Sequence, residues 1–163
     1  MASSADKLIL GEELLPLLRE RLAAGQTIRY LPFRGFSMLP MLRQGIDRVE
    51  LAPLPEKLEK YDLPVYQYPS GKVVMHRVVD VKQDHYICRG DNTYSDEYIT
   101  EDMLIGKVTA FLRGEKRIEV TDPVYRWYAR CWVAIYPVRR VWVLGKRRLF
   151  RFLRKLGFRR FWR

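Results

Sequence analysis

Cysteine and histidine are scarce in this chain, with two of each among 163 residues. Cys88 and Cys131 form no CxxC pair and no Cys/His cluster. That excludes a structural zinc site and argues against a disulfide framework; two partly buried free thiols fit instead. Long hydrophobic runs are missing too. The longest stretch without a charge is nine residues, 63–71, and it holds two prolines, whereas a membrane-spanning helix needs about 20 predominantly apolar residues. Met1–Lys7 offers no basic segment leading into an apolar one, so no secretory signal peptide is expected. Acid is absent after Asp122. Residues 123–163 carry thirteen Lys and Arg against a net charge of +11 for the whole chain, which leaves −2 on residues 1–122. The basicity belongs to the tail and implies an anionic partner there, lipid or nucleic acid, rather than an acid-seeking site in the body.

What is present is a globular composition, 48% hydrophobic and 30% charged, long enough for one domain with its own core plus an extension. Leu8, Ile9, Leu14, Leu15, Leu18 and Leu22 recur at helical spacing, predicting a helix over 6–24 that Gly25 ends and Pro16 breaks or kinks. Residues 26–34 read as extended, and 35–42 as a turn leading into a short helical piece. Further strands are predicted at 46–52, 72–82, 85–89, 103–112 and 116–120, with turns at Gly90-Asp91-Asn92 and Arg113-Gly114-Glu115. The segment 72–82 is apolar on both faces and is expected to run through the core as one strand. Beyond Asp122-Pro123, the residues Val124, Tyr128, Cys131, Ile135, Val138 and Trp142 follow a helical stripe interrupted at Pro137. The fold class is therefore α+β, predominantly β: residues 1–122 form the body, and 123–163 a basic, aromatic helical extension.

The chemistry sits in two short segments. Ser37 lies at a strand end in Gly35-Phe36-Ser37-Met38-Leu39-Pro40, and His76 follows 39 residues later in Val74-Met75-His76-Arg77-Val78. A serine becomes a nucleophile near neutral pH only with a base in hydrogen-bond reach, and imidazole is suited to that task. The backbone turn after Ser37 can direct N–H groups at a carbonyl oxygen. Lys72 is a rival base on the same face of the expected strand, but about 13 Å from His76 at about 3.3 Å per residue. A solvated strand-end lysine suits it better. His85 reads as a surface residue of a hairpin.

Five blocks occur in order. They are Gly35-Phe36-Ser37-Met38-Leu39-Pro40, Gly45-Ile46-Asp47-Arg48-Val49, His76-Arg77-Val78, Arg89-Gly90-Asp91-Asn92 with Asp96, and Ile105-Gly106-Lys107-Val108. In order and spacing they resemble the signal peptidase and repressor-cleavage superfamily of serine peptidases, over about residues 28–120. One branch of that superfamily uses a Ser–Lys dyad; the endoplasmic-reticulum and archaeal signal peptidases use Ser–His. With His76-Arg77-Val78 in the histidine position, the chain is closest to the second branch. The resemblance implies a signal-peptidase-like β-rich body with Ser37 as nucleophile and His76 as general base. Asp91 and Asp96 stand at the acidic positions. Asp96 is preferred as the group that steadies the imidazolium, with Glu97 beside it as a substitute. Gly35, Phe36, Met38 and Pro40 would line the substrate, and no metal or organic cofactor is implied. The chain departs from the family at Gly45-Ile46-Asp47, which has one extra residue, at Tyr61-Asp62 in place of Gly-Asp, and in that no segment reads as the membrane anchor expected of a signal peptidase.

The function expected from this is serine endopeptidase activity on an extended leader or signal-like peptide, at or near the inner face of the cytoplasmic membrane. The tail's tryptophans, phenylalanines and arginines suit an anionic lipid surface. They could also contact phosphates and stack on bases, or the helix could pack on the body with a solvated basic face. Other readings are a slow peptide-binding module docked on membrane and a nucleic-acid-associated protein. About 25 residues precede the first strand, too few for a helix-turn-helix domain.

Overall fold

The computed structural model describes residues 14–143 except Phe33. Helix α1, Leu14–Ala23, presses Leu18 and Leu22 into the core and continues through Pro16 without the predicted break. The part of the predicted helix before Leu14 lies outside the described residues. The helix ends as a left-handed cap: Gly25 adopts φ +76°, its N–H donates to Leu22 O, and the Gln26 N–H donates to Arg21 O. That conformation is cheap only for glycine.

Nine strands follow among the described residues: β1 (Ile28–Pro32), β2 (Arg48–Ala52), β3 (Pro64–Gln67), β4 (Val73–Met75), β5 (Arg77–Val81), β6 (Tyr86–Arg89), β7 (Glu97–Ile99), β8 (Leu104–Arg113) and β9 (Lys116–Glu119). All pairings are antiparallel. The larger sheet runs β1-β2-β8-β3-β4, with β9 also on β8; the smaller is β5-β6-β7. The long, mostly apolar β8 organises the larger sheet. It pairs with β2 on one edge and with β3 and β9 on the other. Two cores result. Leu18, Met38, Leu42, Val49, Val65, Met75, Val108 and Phe111 belong to one, and Leu58, Tyr66, Val74, Val78, Tyr86, Cys88 and Ile99 to the other.

The expected single strand over 72–82 is two strands in two sheets, parted at His76. Its double-sided apolar character has this cause: Val73 and Met75 pack into the first core, Val74 and Val78 into the second. Residues 35–42 form turns rather than a helix. At the carboxyl end, α2 (Pro123–Ala134) is capped by the Asp122 carboxylate, which accepts from the Val124 and Tyr125 N–H groups. The chain turns at Ile135 and continues as helical residues 136–143 (α3), so Pro137 lies inside the second helix instead of causing the break. Tyr125 and Ala129 join the first core. The predicted stripe is divided: Val124, Ile135, Val138 and Trp142 are exposed, whereas Tyr128 packs against the first core. No described helix is long and apolar enough to cross a membrane.

Candidate active site

Ser37 follows β1 in a turn bound from both sides. The Gly35 N–H donates to Gln44 Oε1 at 3.2 Å, and Leu42 N–H to Met38 O at 2.9 Å. Met38 and Leu42 are completely buried and anchor the turn, while Phe36 stays exposed. The backbone N–H groups of Ser37 and Met38 find no acceptor among the described residues. Met38 was expected to line the substrate, but its side chain is core and cannot do so; Phe36 and Pro40 remain at the surface.

His76 occupies the corner where the chain leaves one sheet for the other. Its Nδ1 lies 2.7 Å from Glu97 Oε2. Tyr66 O–H donates to the same oxygen and stands 3.2 Å from Nδ1. Burial alone would raise the Glu97 pKa. Hydrogen bonds from His76, Tyr66 and Tyr68, with the His76 charge, outweigh it and hold the carboxyl below its usual range. Burial, then the Glu97 charge, pushes both tyrosine hydroxyls above their ordinary pKa, so they remain donors. The same two causes push the neighbouring Cys88 thiol up to about 12, so it is inert as a nucleophile.

An ionised Glu97 fixes the tautomer, because the Nδ1 proton is held by the carboxylate and Nε2 is left as the free base. His76 Nε2 is buried and has no hydrogen-bond partner among the described residues. It faces the Ser37 turn across Gly90. The point where a Cβ on Gly90 would stand is 2.8 Å from Ser37 O and 3.0 Å from His76 Nε2, so these two atoms are no further apart than the sum of those distances. Only glycine fits between them. Asn92 reinforces the contact: its N–H donates to Ser37 O at 2.6 Å and its Nδ2 to Phe36 O at 3.1 Å. The Ser37 hydroxyl is not hydrogen-bonded to Nε2 in this arrangement, a link that commonly tightens only when substrate binds.

Neither aspartate singled out from the sequence touches the imidazole. Asp96 is exposed and paired with Arg89 Nε at 2.5 Å. Asp91 is buried and pairs with Arg77 Nε and Nη2 at 2.9 and 2.8 Å, and with the Tyr128 hydroxyl at 3.2 Å. Glu97 takes the place proposed for Asp96. Lys72 closes the turn before β4, where its carbonyl accepts from the Tyr68 N–H, and it is bonded to neither Ser37 nor His76. His85 pairs with Asp84 at the end of a hairpin. The tyrosines on Glu97 were missed. Their signal was the alternation Tyr66-Gln67-Tyr68 in a charge-free segment, since alternate residues of a strand share a face.

No family model, no curated protein and no solved structure matches the chain. No group of three or more His, Cys, Asp or Glu suited to a metal ion occurs among the described residues.

Proposed function

We propose that the chain is a serine endopeptidase of the signal-peptidase type, with Ser37 as nucleophile, His76 as general base and Glu97 as the residue that orients the imidazole. The observation that carries this reading is Glu97 on His76 Nδ1, with the free Nε2 turned toward the Ser37 turn. The resemblance of the five ordered sequence blocks supports it. Ser37 Oγ would bond to the peptide carbonyl carbon as its proton passes to His76 Nε2. The carbonyl oxygen would accept from the Ser37 and Met38 N–H groups. As the C–N bond breaks, the leaving amine takes the proton from His76, and water then hydrolyses the acyl ester with His76 again as base.

The substrate is an extended leader or signal-like peptide. Among the described residues β1 and β4 are the outer strands of the larger sheet and lead toward Ser37 and His76 respectively, and an added strand would use their backbone groups. Membrane proximity is supported by the outer face of α2 and α3. Val124, Trp127, Ile135, Val138 and Val141 are exposed there, beside exposed Arg126, Arg130 and Arg140. A nucleic-acid role for the interleaved arginines is less well supported, because Arg139 stacks on the protein's own Trp132 at 3.8 Å.

The test is digestion of a peptide library by the full chain and by Ser37→Ala and His76→Ala, read by mass spectrometry. Cleavage lost in both variants is expected; cleavage retained in either ends the mechanism. The open Ser37–His76 link favours one second reading, a peptide-binding module. Equal peptide binding by wild type and Ser37→Ala, with no turnover in either, would select it.

A further inference from the structure

The inward face of α2 and α3 is chemically unusual. An ordinary packing helix turns its aliphatic residues in, but here Val124, Val138 and Val141 point out. Tyr125, Tyr128, Trp132 and Tyr136 point in. Aromatic residues with a polar tip suit a surface that is part apolar and part hydrogen-bond acceptor. That surface is the loop 89–94. Trp132 Nε1 donates to Asp91 O at 2.9 Å, and Arg139, lying over the Trp132 ring, donates to the same carbonyl. Tyr136 O–H donates to Tyr94 O at 3.1 Å, and its ring lies 3.4 Å from the Arg89 guanidinium. The other side of the same loop meets Ser37: the Asn92 N–H donates to its carbonyl oxygen, and Gly90 leaves that carbonyl room.

We propose that α2 and α3 form a clamp in which Trp132, Tyr136 and Arg139 are positioning residues for the nucleophile. They fix the loop 89–94, and the loop fixes the turn that carries the Ser37 hydroxyl. The catalytic consequence rests on the peptidase reading; the mechanical coupling does not. A displacement of about 1 Å at a nucleophile can cost about 100-fold in rate, so a clamp remote from the chemistry still governs it.

The experiment uses the full chain with Trp132→Phe, Tyr136→Phe and the double variant; Tyr136→Phe keeps the ring and removes the donor, and Trp132→Phe removes the donor and leaves a smaller aromatic ring. Amide hydrogen exchange is read at Asn92, whose N–H is bonded to Ser37 O, with Val108, bonded to Leu63 O, as internal reference. Each single variant is expected to exchange about tenfold faster at Asn92 with Val108 unchanged, the size expected for losing one partly buried hydrogen bond. On a cleaved library peptide, kcat falls about tenfold and KM holds. Unchanged exchange at Asn92 in the double variant overturns the clamp, whether or not the chain cuts peptides. So does faster exchange at Asn92 and Val108 together, the mark of general destabilisation, or faster loop exchange with unaltered kcat. Library cleavage surviving Ser37→Ala would instead sink only the peptidase reading.

Discussion

Glu97 Oε2 accepts from His76 Nδ1 at 2.7 Å, and it does so from the first residue of an edge strand. The carboxylate therefore holds one tautomer of an imidazole whose other nitrogen faces the Ser37 turn. Glu97→Gln keeps the shape and removes the charge that selects this tautomer. A loss of about 10³-fold or more in kcat is expected, while Asp96→Asn leaves kcat near wild type. Progress curves on one cleaved peptide check both, and the reverse ranking would return the role to Asp96.

Tyr66→Phe removes one donor to Glu97 and leaves the ring in the second core. The Glu97 pKa should rise. The expected outcome is a fall of about tenfold in kcat with the acid limb of the pH–rate profile moved toward higher pH.

Stability should also follow pH. Glu97 has a depressed folded-state pKa, so its contribution is present above the unfolded carboxylate value and is lost as pH falls through the folded value. Glu50 behaves alike, because the Arg117 hydrogen bond lowers its pKa against the opposing effect of burial. Thermal midpoints should fall between about pH 5 and pH 3, with a shallower slope in Glu97→Gln.

Gly90→Ala places a methyl against the Ser37 carbonyl and the His76 ring, where both neighbours are held. The clash should destabilise the fold by about 1–3 kcal/mol and reduce turnover. A chemical denaturation curve and a kcat measurement on the same sample test the pair of effects.

Arg77 is completely buried and paired with Asp91. Removing one partner leaves an uncompensated charge, so Asp91→Leu should cost about 3–5 kcal/mol. Arg77→Met combined with Asp91→Leu should recover part of that, read from urea midpoints.

Vesicle flotation tests the outer helical face. Trp127→Ser with Val138→Ser should weaken partition onto anionic vesicles about tenfold, without altering cleavage of a short soluble peptide. Unchanged flotation would remove this face from any membrane role.

Much of the β framework was legible because β2, β6 and β8 carry apolar residues between Gly, Pro and Asp signals, while β9 follows directly from the turn at Gly114. Tertiary effects hid the rest. β7 has three residues and draws its stability from pairing with β6. The change of sheet at His76 leaves no mark in hydropathy, because both cores accept valine. Of the candidate site, Ser37 and His76 could be paired because the chain has only two histidines, and the structure brings the two segments together around Gly90. The acid could not be told apart within Asp96-Glu97, since adjacent residues at a strand's start aim at different neighbours and only the pairing with Cys88 fixes which one reaches the imidazole. The helical stripe from Val124 was seen, but which of its residues turn inward depends partly on the carbonyls of Asp91 and Tyr94, which no linear pattern announces.

The small sheet, finally, decides the order in which the molecule fails on heating. His76 is hinged to the rest of the fold through both sheets, yet its orienting carboxylate is carried by the outermost of only three strands. That outermost strand has three residues and is paired on one side alone, so it is the part of the small sheet with the least to hold it. Inactivation should thus come several degrees ahead of bulk unfolding, leaving a warm, compact and silent protein that regains activity on cooling.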